Sequence, residues 1–339
     1  MYSNDDLNRG VEQGIFTQKS VDEFRVFIAE EKDTTLVDEE SFKLFSGFND
    51  IFVVIALLLL LISLGWIGSI VNSHFSAFVV ALASWGLSEV FIRQRKMAFP
   101  AIILLLAFVI SSFRVVWEPS AYIDENGSRE LFSILASLTA VFATYMHWRR
   151  FKVPITMAVS MGAVIVFIIS IVTSLTIVSL KTYLAPLIFL MGIVTFVFAM
   201  YWDVKDRKRV SNESDVAFWL HLLASPLIIH SIFLGLGIFE NHIGTMALLA
   251  VVLSYIILSV ISLVIDRRAL MVSSLVYVLY ALNTLFTQYG LKGYGLAIGG
   301  VIIGFGLLFL TAYWSKVRGY IVIRLPESIS SKVPFFEKG

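Results

Sequence analysis

Long runs of apolar residues without a charge recur along this chain, and they restrict what it can fold into. Residues 51–62 are all apolar, and residues 153–180 contain no ionisable side chain. Runs of about 18 or more such residues are typical of helices that cross a membrane. Only 15% of the 339 residues are charged, which is too few to cover a soluble globule, where about 25% is usual.

We therefore predict an all-α fold, a polytopic transmembrane helix bundle of about ten spans over residues 51–314. The connections are mostly short, so neighbouring spans are expected to form antiparallel hairpins. An acidic helical segment, residues 1–50, precedes the bundle, and a tail, residues 315–339, follows it. The predicted spans are residues 51–71, 75–92, 97–117, 131–148, 153–179, 182–202, 216–239, 243–265, 269–289 and 294–314.

The basic residues predict the orientation of these spans. All but four of the 26 lysines and arginines lie in the N-terminal segment, in the C-terminal tail or in alternate loops; the exceptions are Arg114, Arg129, Lys181 and Lys292. The positive-inside rule then places both ends in the cytosol. A missed span would reverse the alternation partway, and no reversal occurs, which favours an even number of spans.

The first 50 residues are predicted to form a small cytosolic helical hairpin. Gly14 has the character of a helix C-cap, and Thr17 that of the N-cap of a second helix that continues to about Glu31. Residues 37–48 have the pattern of an amphipathic helix lying on the membrane surface. We expect no signal peptide, because no apolar run follows a basic start. The segment is too small for a large core, so we expect a helical hairpin docked on the membrane domain rather than an enzyme.

The sequence gives little support to an enzyme. It contains no cysteine, which excludes disulfides and thiolate metal sites. The motifs of zinc proteases, serine hydrolases and phosphate-binding loops are missing as well. We predict no metal, no cofactor and no nucleic-acid partner; the bilayer itself is the expected environment.

Span 7 is the strongest polar candidate, with His221, Ser225, Pro226 and His230. His221 and Ser225 are four residues apart and share a helix face, whereas His230 falls on the opposite face. Pro226 removes one backbone hydrogen bond and can bend the helix, leaving the carbonyl of Leu222 available to a substrate, ion or water. A histidine beside such a break is a pattern that transporters use. The alternative places His221 at the interface and pairs His230 with a neighbouring helix.

Span 9 carries a polar seam that includes Tyr277, Tyr280, Asn283 and Thr284. A polar seam within lipid must face protein or water, so these residues either line a path for a substrate or hydrogen-bond between helices.

The glycines of span 10 are spaced for close helix packing. The pairs 295/299 and 300/304 are small-xxx-small patterns. We expect them to pack against span 7, near Gly235 and Gly237, or against a second copy in a homo-oligomer.

A weak internal repeat is also visible. Arg95 precedes Pro100 by the same five residues as Arg149 precedes Pro154, and a third basic loop holds Arg267. Spans 2–3, 4–5 and 8–9 would then be equivalent hairpins, unless basic loops between apolar helices simply look alike.

Three stretches together resemble uncharacterised bacterial multi-pass membrane proteins, grouped as a predicted membrane domain of unknown function. They are LNRGVEQGIFTQKSVDEFRVFIAEE at 7–31, DVAFWLHLLASPLIIHSIF at 215–233, and DRRALMVSSLVYVLYAL at 266–282 with the tail IRLPESISSKVP at 323–334. The resemblance implies an inner-membrane helical bundle and no known activity. Ten spans with both ends inside are also similar to the drug/metabolite transporter superfamily, at the level of fold alone.

Two functions follow as expectations. The first is a transporter of a small molecule or ion that uses the polar residues of spans 7 and 9. The second is a non-catalytic membrane scaffold, an envelope-assembly or sensory protein that binds its partner through residues 1–50. An enzyme acting on lipid is the least favoured class, because carboxylate and metal clusters are missing.

Overall fold

The computed structural model describes residues 4–31, 48–119, 126–175, 180–207, 209, 211–235, 245–288, 294–330 and 332–334. These residues form helices and contain no strand. In lipid, a backbone must satisfy its own hydrogen bonds, and an isolated helix does so within one segment. The helices are α1 Asn4–Glu12, α2 Gln18–Glu31, α3 Phe48–Ser69, α4 Ser73–Ser88, α5 Ala98–Trp117, α6 Asn126–Phe151, α7 Ile155–Leu175, α8 Leu180–Lys205, α9 Asn212–Gly235, α10 Thr245–Ile265, α11 Ala269–Gln288, α12 Gly295–Ala312, α13 Trp314–Val322 and α14 Glu327–Ser330.

Seven helices among the described residues are long and apolar enough to cross a membrane. They run from Asn49–Ser69 to Asn212–Gly235 and coincide with the first seven predicted spans. The second of them includes a π-helical turn, Glu89–Gln94, that continues α4. The pair Ala297–Ala312 and Trp314–Val322 adds an eighth if it counts as one span, and it is bent by 70°. The structure therefore confirms a bundle of helices that are long and apolar enough to cross a membrane.

The chain divides into two compact units, Met1–Phe42 and Lys43–Gly339. In the first unit, α1 ends before Gly14, whose φ of 70° is the left-handed conformation that glycine adopts without strain. The hydroxyl of Thr17 accepts a hydrogen bond from the backbone N–H of Ser20 at 3.1 Å. The C-cap and the N-cap predicted at these two positions are thus confirmed. The amphipathic helix predicted over 37–48 lies outside the described residues, apart from its last position.

Four turns of the second unit share one unusual backbone conformation. Lys96, Lys152, Arg209 and Asp266 have φ between 53° and 56°, a region that costs a residue with a side chain about 1–2 kcal/mol. They recur at intervals of 56, 57 and 57 residues and join α4 to α5, α6 to α7, α8 to α9 and α10 to α11. The hairpin repeat suggested by the sequence is therefore seen in the backbone, and it also includes α8–α9.

The four turns lie at one end of the bundle, which we call the basic end. Glu89, before the first turn, accepts hydrogen bonds from Arg150, before the second, at 2.6 and 3.0 Å. Arg209 of the third turn donates to Asp266 of the fourth at 2.8 Å. Ala158 of α7 packs in one cluster with Val216 and other residues of α9, which joins the two pairs of hairpins.

Close approach of α8 and α9 positions the polar residues near the basic end. A Cβ placed on Gly192 of α8 would lie 2.9 Å from a side-chain carbon of Ile228 in α9 and 3.0 Å from its backbone nitrogen. Only glycine permits this separation between helices.

The glycines of α12 pack differently from the prediction. A Cβ at Gly299 would meet Leu279 and Leu282 of α11 at 3.5–3.8 Å, and no described atom lies within 4 Å of one at Gly304 or at Gly235 of α9. Gly299 thus packs on span 9 rather than on span 7, because α11 is the neighbour of α12. A contact with a second copy stays a prediction.

Candidate functional site

A network of buried charged residues lies at the basic end, where α8, α9, α10, α11 and α13 meet. Its centre is Asp203 in the last turn of α8, with 1% of its surface exposed. One carboxylate oxygen lies 2.8 Å from Nε2 of His221 in α9. The other accepts a hydrogen bond of 2.6 Å from Arg267 in the turn before α11. We call Asp203, His221 and Arg267 the buried triad.

Arg267 is held at several atoms. Its guanidinium also donates to the carbonyl and the hydroxyl of Ser214 at 3.1 and 3.4 Å. Its backbone N–H donates to the carbonyl of Ser262 at 3.0 Å, and its carbonyl accepts from the Ser262 hydroxyl. The first of these backbone bonds closes α10 in a Schellman motif with Asp266 in the left-handed position. The turn conformation therefore points Arg267 into the bundle.

Asp266 organises the second half of the network. Its carboxylate accepts from Arg209 at 2.8 Å and from the indole N–H of Trp314 at 2.7 Å. Arg318 of α13 is a further ion-pair partner at 3.7 Å. Burial, and next the positive charge of Arg267, lower the pKa of Arg209, but a guanidinium remains charged in proteins.

The C-terminal residues close this end of the bundle. Arg207 donates to the carbonyls of Ser330 and Val333 at 3.0 and 2.9 Å. Arg318 donates to the carbonyl of Pro334 at 2.8 Å. These contacts bury Val333 to 2% exposure, so Ser330, Val333 and Pro334 belong to the folded bundle.

The charges of the network balance when His221 is neutral. The carboxylates are Asp203, Asp206, Asp215 and Asp266, and the arginines are Arg207, Arg209, Arg267 and Arg318. Buried ions require such pairing, because an isolated one is too costly to remove from water. The imidazole Nδ1 of His221 is fully buried and has no hydrogen-bond partner among the described residues. It is a position where the network can take up a proton.

The structure divides the predicted site residues into separate groups. His221 belongs to the triad, and Ser225 beside it donates to the His221 carbonyl at 2.6 Å. His230 is instead exposed on the bundle surface, and its Nδ1 lies 2.8 Å from the Tyr277 hydroxyl. The two histidines thus face different neighbours, α8 and α11. This contact of His230 is the helix-to-helix pairing that the alternative interpretation predicted.

Two threonine hydroxyls of the polar seam bond within their own helix. The Thr284 hydroxyl donates to the carbonyl of Tyr280, and that of Thr287 to the carbonyl of Asn283. Tyr280 has 41% of its surface exposed. Pro226 lies inside a helix that continues to Gly235.

An apolar groove passes beside Pro226. It has a volume of about 620 Å³ and lies between α5, α6, α7 and α9. Its lining includes Val109, Phe113, Gly162, Val166, Trp219 and Pro226. The groove and the triad lie on different faces of α9, since Trp219 lines the groove and His221 contacts α8.

A second buried histidine was missed by sequence reasoning. His147 of α6 is fully buried, with Nδ1 3.2 Å from the Thr156 hydroxyl of α7. Phe151 packs against its ring at 4.7 Å between centroids. Its Nε2 has no hydrogen-bond partner among the described residues.

The sequence also gave no role to Asp203, Asp266 and Trp314, and it assigned Arg267 to a basic loop. Arg267 and Trp314 are buried, with 2% and 3% exposure. A usable signal was present, because each aspartate stands beside the basic cluster of its loop, in DVKDRKR and IDRR. Among the described residues, no group of three or more histidines, aspartates and glutamates is arranged to hold a metal ion.

The geometry of the triad is the main guide to function. No family model, curated protein or solved structure matches this chain.

Proposed function

We propose that this protein is a membrane transporter of a small molecule or ion, and that the buried triad makes it responsive to protons. The observation that carries the proposal is a titratable histidine joined to a carboxylate and an arginine, all three buried at the basic end of the bundle. Ionisable side chains within membrane-spanning helices are rare and typically mark ion or proton pathways.

The triad can convert a proton into a structural change. With His221 neutral, the charges of Asp203 and Arg267 cancel. Protonation at Nδ1 adds one positive charge and one N–H donor, and no acceptor faces this atom among the described residues. A conformation that brings water or an acceptor to Nδ1 is then favoured, because a buried unpaired charge is costly.

The proposal includes the full topology of ten spans with both ends in the cytosol of a bacterial cell. Support comes from the sorting of basic residues and from the turns that hold Lys96, Lys152, Arg209 and Asp266 at one end. Reporter fusions after residues 95, 150, 208, 268 and 320 should report the cytosol, and those after 73, 124, 241 and 291 the outer side. A cytosolic signal at 124 would refute this topology.

The absence of native cysteines allows a direct test of transport-like opening. Ser225→Cys places one thiol beside His221, and a membrane-impermeant maleimide is applied to sealed vesicles of either orientation between pH 5.5 and 8. We expect labelling that changes with pH, and loss of this change when His221→Gln is added.

Ser88→Cys is the matched control. Ser88 is equally buried, and its hydroxyl donates to the carbonyl four residues earlier, as that of Ser225 does. It should remain unlabelled. If position 225 behaves like position 88 at every pH, the triad does not open and the transporter proposal fails.

The N-terminal unit favours the scaffold function as the second candidate. Ile15, Phe16 and Phe24 have 66%, 46% and 46% of their surfaces exposed, an apolar content typical of a docking surface. Deleting residues 1–36 separates the two proposals. A transporter should keep the pH-dependent labelling at position 225 after this deletion. A scaffold should lose its function in the cell when this segment alone is removed.

A further inference from the structure

We propose that the apolar groove is a binding site for an anionic glycerophospholipid from the leaflet at the basic end. This inference does not depend on transport, and it concerns a face of α9 that the triad does not use.

The stretch of α7 that lines the groove is as long as one leaflet is thick. This stretch begins at Ile155, the first residue of that helix, and continues to Val166. Eleven residues of helix span about 16 Å. Half of the hydrocarbon core of a bilayer is about 15 Å. An acyl chain that enters at the basic end can therefore lie along the groove to the middle of the membrane.

The lining fits hydrocarbon rather than a polar substrate. The side chains that line the groove are apolar on all four helices, with Trp219 as the largest near the basic end. Gly162 also lines the groove, and no described atom would touch a Cβ there. The volume of about 620 Å³ lies within the range of about 300–1,000 Å³ for ligand sites.

Charge at the basic end selects the headgroup. Lys152 stands in the turn just before α7, and its ammonium lies 5.3 Å from the ring centroid of Trp148. Trp148 packs in the cluster that contains Ala158 and Trp219, and both of these line the groove. Lys152 also precedes Ile155, which lines the groove, by three residues, so its exposed ammonium lies near the basic end of the groove. Tryptophan and lysine together suit the headgroup level of a membrane. The ligand complementary to the lysine is a lipid whose phosphate is not neutralised by an amine in the same headgroup.

The test uses a phosphatidylglycerol with a photoreactive diazirine in one acyl chain, incorporated into vesicles with the full-length protein. Mass spectrometry of the digested protein locates the crosslinks. We expect them to concentrate on residues 155–166 and 219–226. Gly162→Leu fills the groove and should lower these crosslinks about tenfold, because its four carbons take space that the acyl chain needs.

Gly304→Leu is the matched control, since Gly304 of α12 also has no described atom within 4 Å of an added Cβ. It should leave the groove crosslinks unchanged. Lys152→Gln should bring the yields from phosphatidylglycerol and photoreactive phosphatidylcholine to about the same value, whereas the wild type should favour the former. The proposal is overturned if crosslinks follow lipid exposure over all helices, or if Gly162→Leu leaves them in place.

Two further measurements keep the test decisive. If Gly162→Leu does not fold, unlabelled phosphatidylglycerol must suppress the groove crosslinks of the wild type and spare those on α12; failure to do so refutes the site. Gly162→Cys, oxidised with copper phenanthroline, reports another occupant. A disulfide-linked dimer would show that a second copy fills the groove, and the lipid proposal would be wrong.

Discussion

Replacing Arg267 with methionine should destabilise the protein far more than the same change at its neighbour Arg268. Arg267 is 2% exposed and donates to Asp203 at 2.6 Å and to Ser214 at 3.1 Å. Methionine has a similar length but no charge, so Asp203 would stay buried with His221 as its remaining partner. Removing one member of a buried ion pair costs about 3–5 kcal/mol. We expect a loss of that size in the free energy of unfolding.

Arg268 provides the internal control. It is exposed, and its guanidinium lies 5.0 Å from the ring centroid of Trp314. A cation–π contact at an exposed site contributes about 0.5–1 kcal/mol. The two substitutions therefore differ by several-fold in expected cost, although they remove the same side chain from adjacent positions.

A double-mutant cycle with Asp203→Asn identifies the cause. In the Arg267→Met background, Asp203→Asn removes the uncompensated charge and should restore stability, with a coupling energy of about 1–3 kcal/mol. Unfolding by SDS in mixed micelles measures all four variants. The reasoning is refuted if Arg267→Met costs no more than Arg268→Met, or if the losses of the single variants add.

Five other substitutions test the packing and the turns of the bundle. Gly192→Ala should cost about 1–3 kcal/mol because it overpacks the α8–α9 contact, whereas Gly162→Ala should be neutral in the same SDS titration. Trp314→Phe removes the donor to Asp266 and should cost about 1–3 kcal/mol, seen as a lower thermal midpoint in detergent. Lys152→Gly should leave the stability unchanged or raise it, since it relieves a left-handed conformation that costs about 1–2 kcal/mol. Asp266→Gly relieves the same strain but should lower the stability, because it also removes the carboxylate that accepts from Arg209 and Trp314. Equal shifts of the two thermal midpoints would refute this difference.

The parts of the structure that follow from local sequence were predictable. The first predicted span, 51–71, corresponds to Asn49–Ser69, because an uncharged apolar run has few alternatives to a membrane helix. The caps at Gly14 and Thr17 were equally local, since each depends on residues within one turn.

The buried triad was not predictable in this way. Asp203 and Arg267 are 64 positions apart, and their pairing depends on how three helices pack. Sequence reasoning placed Arg267 in a cytosolic loop because basic residues between spans follow the positive-inside rule. His221 was found because a histidine inside an apolar run is conspicuous, but its partner on α8 required the close approach at Gly192. The separation of His221 from His230 followed from helical periodicity.

The repeated hairpins offer a comparison within one chain. The first two turns are joined by Glu89 and Arg150, whose side chains are 29% and 43% exposed. A surface ion pair of this kind contributes about 0–1 kcal/mol to stability, and it requires no further function to explain it. The last two turns are joined by Asp203 and Arg267, which are 1% and 2% exposed. A buried pair of this kind is often no more stable than apolar residues of the same volume, so stability alone does not account for it. The same turn geometry thus carries a surface ion pair in one half and a buried titratable network in the other, and we expect function to depend on the second half.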